Sequence, residues 1–396
     1  MINKITIVTS EAFPNGMAGT NRIISMAKGF ISHGVQTCVI SFYKYGESGS
    51  VSVNPREGVF EGIQFRNVFQ SQFKNPSRLV RLLHELAKPL LIFYSAIKNV
   101  SGGTVVLYYA EKTWPAAALR IVTIVRSALL IKEETEHPAI RVEKKIRLSR
   151  YLYLKFHYRV FDGLMVITQN LNEYFTDSMH YSKPIFLVPM IVDTERFNDI
   201  DKTESQSIVF SGELNDKKEG VTTLIKAFHL ISGKYPHLML DLYGAYPDKS
   251  HETYFHQLVS SLKLEQRVAF HGYKNRSEMT LALCRARFFV FSRPPSLQAH
   301  FGFSTKLGEY LATGKPVIVS QVGEVSRYLI DGVNALLCKS EPEEIAAKII
   351  EIQENYDKAL IIGQEGRNTS MLHFNNKVET KKIIDWLHTF AKVSKE

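Results

Sequence analysis

Short apolar runs and stretches of helical periodicity alternate from one end of the chain to the other. The run KITIVTS, with Ile5, Ile7 and Val8, leads into a loop carrying Pro14, Gly16 and Gly19. A helical pattern follows from about Asn21 to His33, and GVQTCVISF is the next run. That order is the strand–helix–strand opening of a doubly wound parallel sheet. Further strands are predicted at Thr104–Tyr109, Ala128–Glu133 and Gly163–Thr168, and PIFLVP is another short apolar run.

A polar, turn-rich stretch from about Asp193 to Ser205 interrupts the pattern, which then restarts. SIVFSG, HLMLDLYG, RVAFHGY, RFFVFS and KPVIVS read as strands, with helices predicted over Thr222–Ser232, Tyr254–Leu262, around Ser277–Cys284 and after Ser304. A last helical pattern, Val378–Phe390, includes Trp386. The simplest division is an α/β domain over residues 1–190, a linker over 191–206, a second α/β domain over 207–375 and a helix over 376–396. A length of 396 residues suits two domains.

Composition changes this picture little; charge changes it more. Hydrophobic residues make up 45% and charged residues 22%, ordinary for a globular protein. Cys38, Cys284 and Cys338 are too few and too scattered for a disulfide framework or metal cluster, and read as small core residues in a reducing compartment. The first residues enter a strand pattern directly and do not read as a signal peptide. The longest apolar stretch, Ala116–Ile131, is broken by Arg120 and Arg126, too short a run to span a membrane. Residues 1–190 hold 23 Lys/Arg against 13 Asp/Glu, whereas the remainder holds 26 of each. The whole excess of +10 therefore lies in the N-terminal half, which points to an anionic partner there.

The densest chemistry lies in FGFSTKLGEYLATGKPVIVS, residues 301–320. Ser304 and Thr305 are good N-cap residues ahead of a helical run. A helix start behind a sheet strand offers unpaired N–H groups and a positive dipole end, which suits phosphate. The dipole supplies only about 0.3–1 kcal/mol, so added cations are expected. Lys306 is one, and Arg293, at the end of the preceding strand, is another. Glu309 lies one turn on, on the same face as Lys306. A carboxylate is acceptor-only and suits two ribose hydroxyls. The segment thus reads as phosphate first and ribose second. The plain alternative is a surface ion pair between Lys306 and Glu309. Gly314, Pro316, Gly323 and Glu324 mark the stop of this helix and the ends of the next strand.

These residues carry a family likeness. KLGEYLATGKPVIVSQVGEVSRYLIDGVNALL resembles the sugar-nucleotide-binding segment of retaining glycosyltransferases of family 4, the glycosyl transferases group 1 with the GT-B fold. IVFSGELNDKKEGVTTLIKAFHLI is similar to the opening of that family's donor domain, and LVPMIVDTERF, LEQRVAFHGY and FDGLMVITQ match other segments. FPNGMAGTNRIISMAKGFISHGVQTCVIS resembles its N-terminal Gly loop. The resemblance implies two Rossmann-like domains facing across a cleft, with the last helix crossing back to the first domain. It implies transfer of a sugar from a UDP- or GDP-sugar, with retention and without a tightly bound metal or cofactor. Surface-polysaccharide biosynthesis is the setting it brings, with a glycan or lipid-linked acceptor. Glu309 matches the Glu that holds ribose.

The chain departs from the family at three positions. Phe301 stands where a first Glu faces the donor sugar. Glu213 and Glu219 stand where two diphosphate-binding cations are expected. Lys217 or Lys218 is then expected to take over one role, with Arg293 and Lys306 supplying the remaining positive charge. Two other readings stay open: a nucleotide-sugar epimerase on the same fold, and an inactive sugar-nucleotide binder.

In the N-terminal half, Glu134, Glu136 and His137 are the candidates for contact with donor sugar or acceptor hydroxyl, against an exposed acidic loop ending in a Pro turn. Gly19, followed by Asn21 and Arg22, offers close backbone approach to a donor diphosphate, or is a simple strand–helix turn. Residues 141–159 carry seven Lys/Arg against one Glu, with Tyr151, Tyr153, Phe156 and Tyr158 interleaved. This suits an anionic membrane surface, or a solvated helix whose aromatic stripe is core. No nucleic-acid recognition module accompanies it. A cytoplasmic protein touching the inner face of the membrane is the resulting expectation.

Overall fold

The computed structural model describes residues 2–43, 54–68, 90–141, 147–198 and 203–393. The chain divides into two compact units: Met1–Asp193 together with Asn376–Glu396, and Thr194–Asn375.

The first unit is built on strands β1 (Lys4–Thr9), β2 (Gln36–Ser41), β3 (Glu57–Phe60), β4 (Ile63–Asn67), β5 (Thr104–Tyr109), β6 (Leu129–Glu134), β7 (Gly163–Val166) and β8 (Ile185–Leu187). They form one sheet in the order β3-β4-β2-β1-β5-β6-β7-β8. All pairings are parallel except β3 with β4, a hairpin closed by Glu61-Gly62. Both turn residues have positive φ, the twist that a two-residue hairpin loop requires. The hydrophobic pattern had not singled out this hairpin.

The helices of this unit are α1 (Ala18–Ser32), α2 (residues 90–99), α3 (Thr113–Val125), α4 (Pro138–Arg141), α5 (Arg147–Arg159) and α6 (Gln169–Glu173). α1 lays Ile23, Ile24, Ala27 and Phe30 on the sheet core with Ile5, Ile7, Val105 and Leu107. A C-terminal helix, Asn376–Val393, adds Ile383, Ile384 and Leu387 to that core. It approaches α1 at Gly29, where a Cβ would lie 2.6 Å from the Asn376 carbonyl and 2.5 Å from the Thr380 hydroxyl. Trp386 stacks on Phe186 at 5.1 Å.

Of the basic stretch 141–159, residues 142–146, with Lys144 and Lys145, lie outside the described residues, as do the side chains of 141–152. In the described part of α5, Leu154, His157 and Tyr158 face inward, and Lys155, Phe156 and Arg159 face solvent.

The second unit holds β9 (Ser207–Ser211), β10 (Met239–Tyr243), β11 (Val268–Gly272), β12 (Phe288–Phe291), β13 (Val317–Ser320) and β14 (Leu336–Cys338), ordered β11-β10-β9-β12-β13-β14. All pairings are parallel. The chain runs outward from β9 to one edge, returns, and continues from β12 to the other. Strand order therefore reverses between β9 and β12, the point at which open α/β sheets bind ligands, beyond the carboxyl ends of the strands. Its helices are α7 (Asp216–Glu219), α8 (Val221–Ser232), α9 (Lys249–Ser261), α10 (Arg276–Arg285), α11 (Leu297–Phe301), α12 (Thr305–Ala312), α13 (Val325–Tyr328), α14 (Pro342–Glu354) and α15 (Tyr356–His373); Asn376–Val393 is then α16. The core joins Ile208, Phe210, Leu224, Phe228, Leu240 and Val290 with α14 residues Ile345 and Ile349. Thr194 and Phe197, in the stretch expected to be linker, are buried in a short 3-10 turn. All three cysteines are buried and none forms a disulfide with another.

Candidate functional site

In the second unit the loops after β9 and β12 are stitched together. The Ser292 hydroxyl donates to the Glu219 carbonyl at 2.9 Å and to the Gly220 carbonyl at 3.1 Å. The Ser320 hydroxyl, at the end of β13, donates to the Arg293 carbonyl at 2.7 Å. α12 is fixed to the same edge by Tyr310. Its ring stacks on Phe289 at 4.3 Å, and its hydroxyl accepts from the Ser211 N–H at 2.7 Å.

Three charges converge at this edge. The Lys306 ammonium lies 2.8 Å from the Glu219 carboxylate, and the Arg293 guanidinium 3.3 Å from it. All three side chains are buried or nearly so. Lys306 reaches this position because residue 212 is glycine: a Cβ there would sit 2.1 Å from the ammonium nitrogen. The ammonium also lies 5.0 Å from the centroid of the Phe210 ring. Burial pushes the Glu219 carboxyl up, but Lys306, Arg293 and Lys218 more than reverse this, so it titrates below the usual carboxylate range. Burial pushes the Lys306 ammonium below the usual lysine range, and Glu219 pulls it back only in part. Lys218, Arg293 and Lys306 against the single Glu219 leave two positive charges over. The Arg293 Nε is buried without a hydrogen-bond partner among the described residues.

The structure corrects the simplest reading of this segment. Lys306 and Glu309 do not pair with each other. Lys306 turns to Glu219, and the Glu309 Oε1 accepts from the Arg196 guanidinium at 2.7 Å. Arg196 is itself held by the Thr280 hydroxyl and, at 3.4 Å, by the Arg276 carbonyl. Glu309 is therefore not an unengaged acceptor for two ribose hydroxyls. Ser304 stands at the N-cap of α12 but its side chain makes no capping hydrogen bond, and Thr305 opens the helix. Phe301 ends α11, its ring edge-on to His300 at 4.8 Å. Glu213 is half-buried and accepts from Asn215 at 3.2 Å.

The first unit holds the remaining candidates. Glu134, at the end of β6, is fully buried. Its carboxylate accepts from the Tyr158 hydroxyl at 2.6 Å and lies 3.4 Å from the Lys132 ammonium. That places it in the interior, away from the surface loop expected from sequence. Glu136 is half-buried. His137 is buried, its ring 4.3 Å from that of Tyr174, and its Nδ1 accepts from the Ala139 N–H at 3.1 Å. Gly19 lies in the first turn of α1, where a Cβ would meet the Glu11 side chain at 2.6 Å. Arg22, noted in the sequence beside Gly19, is paired with Glu133, which the sequence did not single out; the two are buried 2.6 Å apart, and Arg22 also donates to the Pro189 carbonyl at 2.8 Å. A cavity of about 170 Å³ lies beyond β5 and β6, lined by Glu111, Lys112, Pro138, Tyr153, His157 and Tyr158. Among the described residues no group of three or more His, Cys, Asp or Glu side chains comes together as a metal site.

The whole chain is similar in fold to solved glycosyltransferase structures. Sucrose-phosphate synthase from Thermosynechococcus elongatus aligns over 98% of this chain and 99% of its own, with a TM-score of 0.75 and 14% identity. Anabaena HepE in complex with UDP-glucose aligns over 97% and 99%, with a TM-score of 0.70 and 16% identity. S. aureus TarM aligns over 98% and 99%, with a TM-score of 0.71 and 12% identity. The fold is that of the GT-B glycosyltransferases, with two Rossmann-like domains.

Residues 192–369, nearly the whole of the second unit, match the family model described as Glycosyl transferases group 1. An uncharacterized glycosyltransferase of Methanocaldococcus jannaschii, MJ1178, is 32% identical over 100 residues, 25% of this chain and 27% of that protein. The chain thus matches about a quarter of the length of the curated relatives.

Proposed function

We propose that the protein is a glycosyltransferase that moves a sugar from a nucleoside-diphosphate sugar to a glycan or lipid-linked acceptor, with retention, in polysaccharide assembly. The observation that carries this reading is the cluster of Lys218, Arg293 and Lys306 at the strand-order reversal between β9 and β12, two positive charges in excess of Glu219. A diphosphate brings the missing negative charge to that point. The N-terminus of α12, uncapped by Ser304, adds N–H groups and a positive dipole end.

The hard step is departure of the nucleoside diphosphate from the anomeric carbon, as negative charge builds on the leaving oxygen. Fixed cations in a water-poor pocket stabilise that charge without reorganising. Arg196 orients Glu309, so that its other oxygen meets the ribose. In the first unit, Glu136 and His137 are the groups we assign to contact with the sugar or acceptor, since Glu134 is locked against Tyr158 and Lys132. Gly19 gives close approach at the start of α1. The basic stretch 141–159 is assigned to an anionic membrane surface. HepE is described in complex with UDP-glucose, and TarM with UDP, which makes UDP the first nucleotide to test.

Glu219 favours one second reading. It neutralises part of the charge of both buried cations, which weakens the stabilisation of a departing diphosphate that transfer needs, and with Phe301 and Glu213 it supports an inactive sugar-nucleotide binder. The test incubates the protein with UDP- and GDP-sugars, with and without lipid-linked acceptor, and follows free nucleoside diphosphate. Acceptor-dependent release supports the transferase. Interconversion of the sugar would show an epimerase, and binding with neither outcome an inactive binder.

A further inference from the structure

α3 is apolar on both of its faces. Pro115, Ala116, Leu119 and Val122 pack inward. On the opposite side, Trp114 is 78% exposed, Ile124 63% and Val125 69%, and Ile121 is exposed with them. Trp114, Ala118, Ile121 and Val125 recur at i, i+4, i+7 and i+11, one continuous outward stripe. The single charge within the helix, Arg120, is bound to Asp162 at 2.7 Å. A helix apolar all round belongs in a core or in lipid, and this one has half its apolar surface in water.

The surroundings of the stripe are apolar and cationic together. The Arg126 guanidinium, just past α3, donates to the Ile97 carbonyl at 3.2 Å, which joins α3 to α2. α2 exposes Leu90, Leu91 and Tyr94, with the Lys98 ammonium 4.3 Å over the Tyr94 ring. At the other end, the Thr113 hydroxyl donates to Tyr153 at 3.0 Å and bonds His157 at 2.9 Å, which joins α3 to α5. α5 exposes Phe156 between Lys155 and Arg159. Lys98, Lys112 and Arg126 are exposed near the ends of α2 and α3, with Glu111 exposed beside Lys112, and Lys155 and Arg159 are exposed on α5, in the half of the chain that holds all the excess positive charge. An indole flanked by aliphatic side chains and basic residues is the composition that lies at the headgroup level of an anionic bilayer.

We propose that the outer face of α3, with Trp114, Ile121, Ile124 and Val125, inserts into the surface of an anionic lipid bilayer, with the basic residues of α2, α5 and the α3 ends on its headgroups. This deepens the membrane contact assigned above and moves its anchor from 141–159 to α3. No helix among the described residues is long and apolar enough to cross a membrane, so the contact is interfacial. The cavity lined by Glu111 and Lys112 sits at the N-terminal end of α3, which brings a lipid-linked acceptor's polar head to the unit that must receive it.

The chain has two tryptophans, and Trp386 is stacked on Phe186, so Trp114 is the reporter. The experiment titrates the full chain with phosphatidylcholine vesicles with and without phosphatidylglycerol. It reads Trp emission, quenching by brominated lipid and co-flotation. The expected result is a blue shift and quenching with anionic vesicles only, both absent in Trp114→Phe. The pair Ile121→Ser and Val125→Ser is expected to weaken flotation about tenfold or more while leaving the UDP-induced thermal shift unchanged. Four results would overturn the proposal. They are no Trp114 response at low salt, equal binding to neutral vesicles, and a concentration-dependent dimer dispersed by the serine pair without vesicle binding. The fourth is flotation abolished by Lys144→Glu, Lys145→Glu and Arg147→Glu yet indifferent to the serine pair, which would return the contact to 141–159.

Discussion

Glu219 stands where the family resemblance expects a cation, and two buried cations meet it there. Lys306 and Arg293 come to it from elements 74 or more residues away in sequence. Removing one partner of a buried ion pair costs about 3–5 kcal/mol, because the others stay buried and uncompensated. We therefore expect Glu219→Gln to lower the ligand-free melting temperature. We also expect a larger melting-temperature rise on adding UDP than in the wild type, since the diphosphate then neutralises the stranded cations. Differential scanning fluorimetry reads both. The folded Glu219 titrates below its usual value of 4.5, so its contribution is complete above that pH and is lost as pH falls beneath it. The acid limb of the stability curve should be shallower in Glu219→Gln, measured by urea unfolding from pH 3 to pH 6. Sequence showed Arg293 and Lys306 as cations beside a helix start, because strand end and N-cap are local signals. It did not show Glu219 as their anchor or Arg196 as the partner of Glu309, because those pairings exist only once the sheet has formed.

At the scale of elements, α12 is placed by Tyr310 and the C-terminal helix by Gly29. Tyr310→Phe removes the acceptor for the buried Ser211 N–H, which costs about 1–3 kcal/mol. Its stack on Phe289 remains, so the fold should hold while UDP affinity falls, an outcome that chemical denaturation and calorimetry together check. Gly29→Ala drives a methyl against the Asn376 carbonyl and should cost about 1–3 kcal/mol. Urea unfolding of that variant should show the loss, and a wild-type midpoint would mean that α1 and α16 are not so closely packed. Apolar runs marked most strands of both sheets to within a residue or two, because a buried parallel strand is apolar almost throughout. The β3–β4 hairpin escaped notice because its turn is Glu-Gly, where Asn-Gly or Asp-Gly is the usual signal. The exposed face of α3 was hidden for the opposite reason: an apolar stripe in sequence reads as core.

At the scale of the molecule, the two halves differ in what they offer a partner. The N-terminal half holds the whole charge excess and the exposed apolar helix, and the C-terminal half is electrically balanced overall, its positive charge locally concentrated around Glu219. A doubly wound order was readable from the alternation alone, and the strand-order reversal that positions the site follows from it. The central claim is that the cluster between β9 and β12 binds the diphosphate of a sugar nucleotide. Isothermal titration of UDP and GDP into the wild type, Arg293→Ala, Lys306→Ala and the bulkier Lys306→Met tests it most directly. A charge-assisted hydrogen bond is worth about 1.5–3 kcal/mol, so each variant should bind about ten- to a hundredfold more weakly while keeping the wild-type circular dichroism spectrum. Wild-type affinity in all three variants would contradict the account.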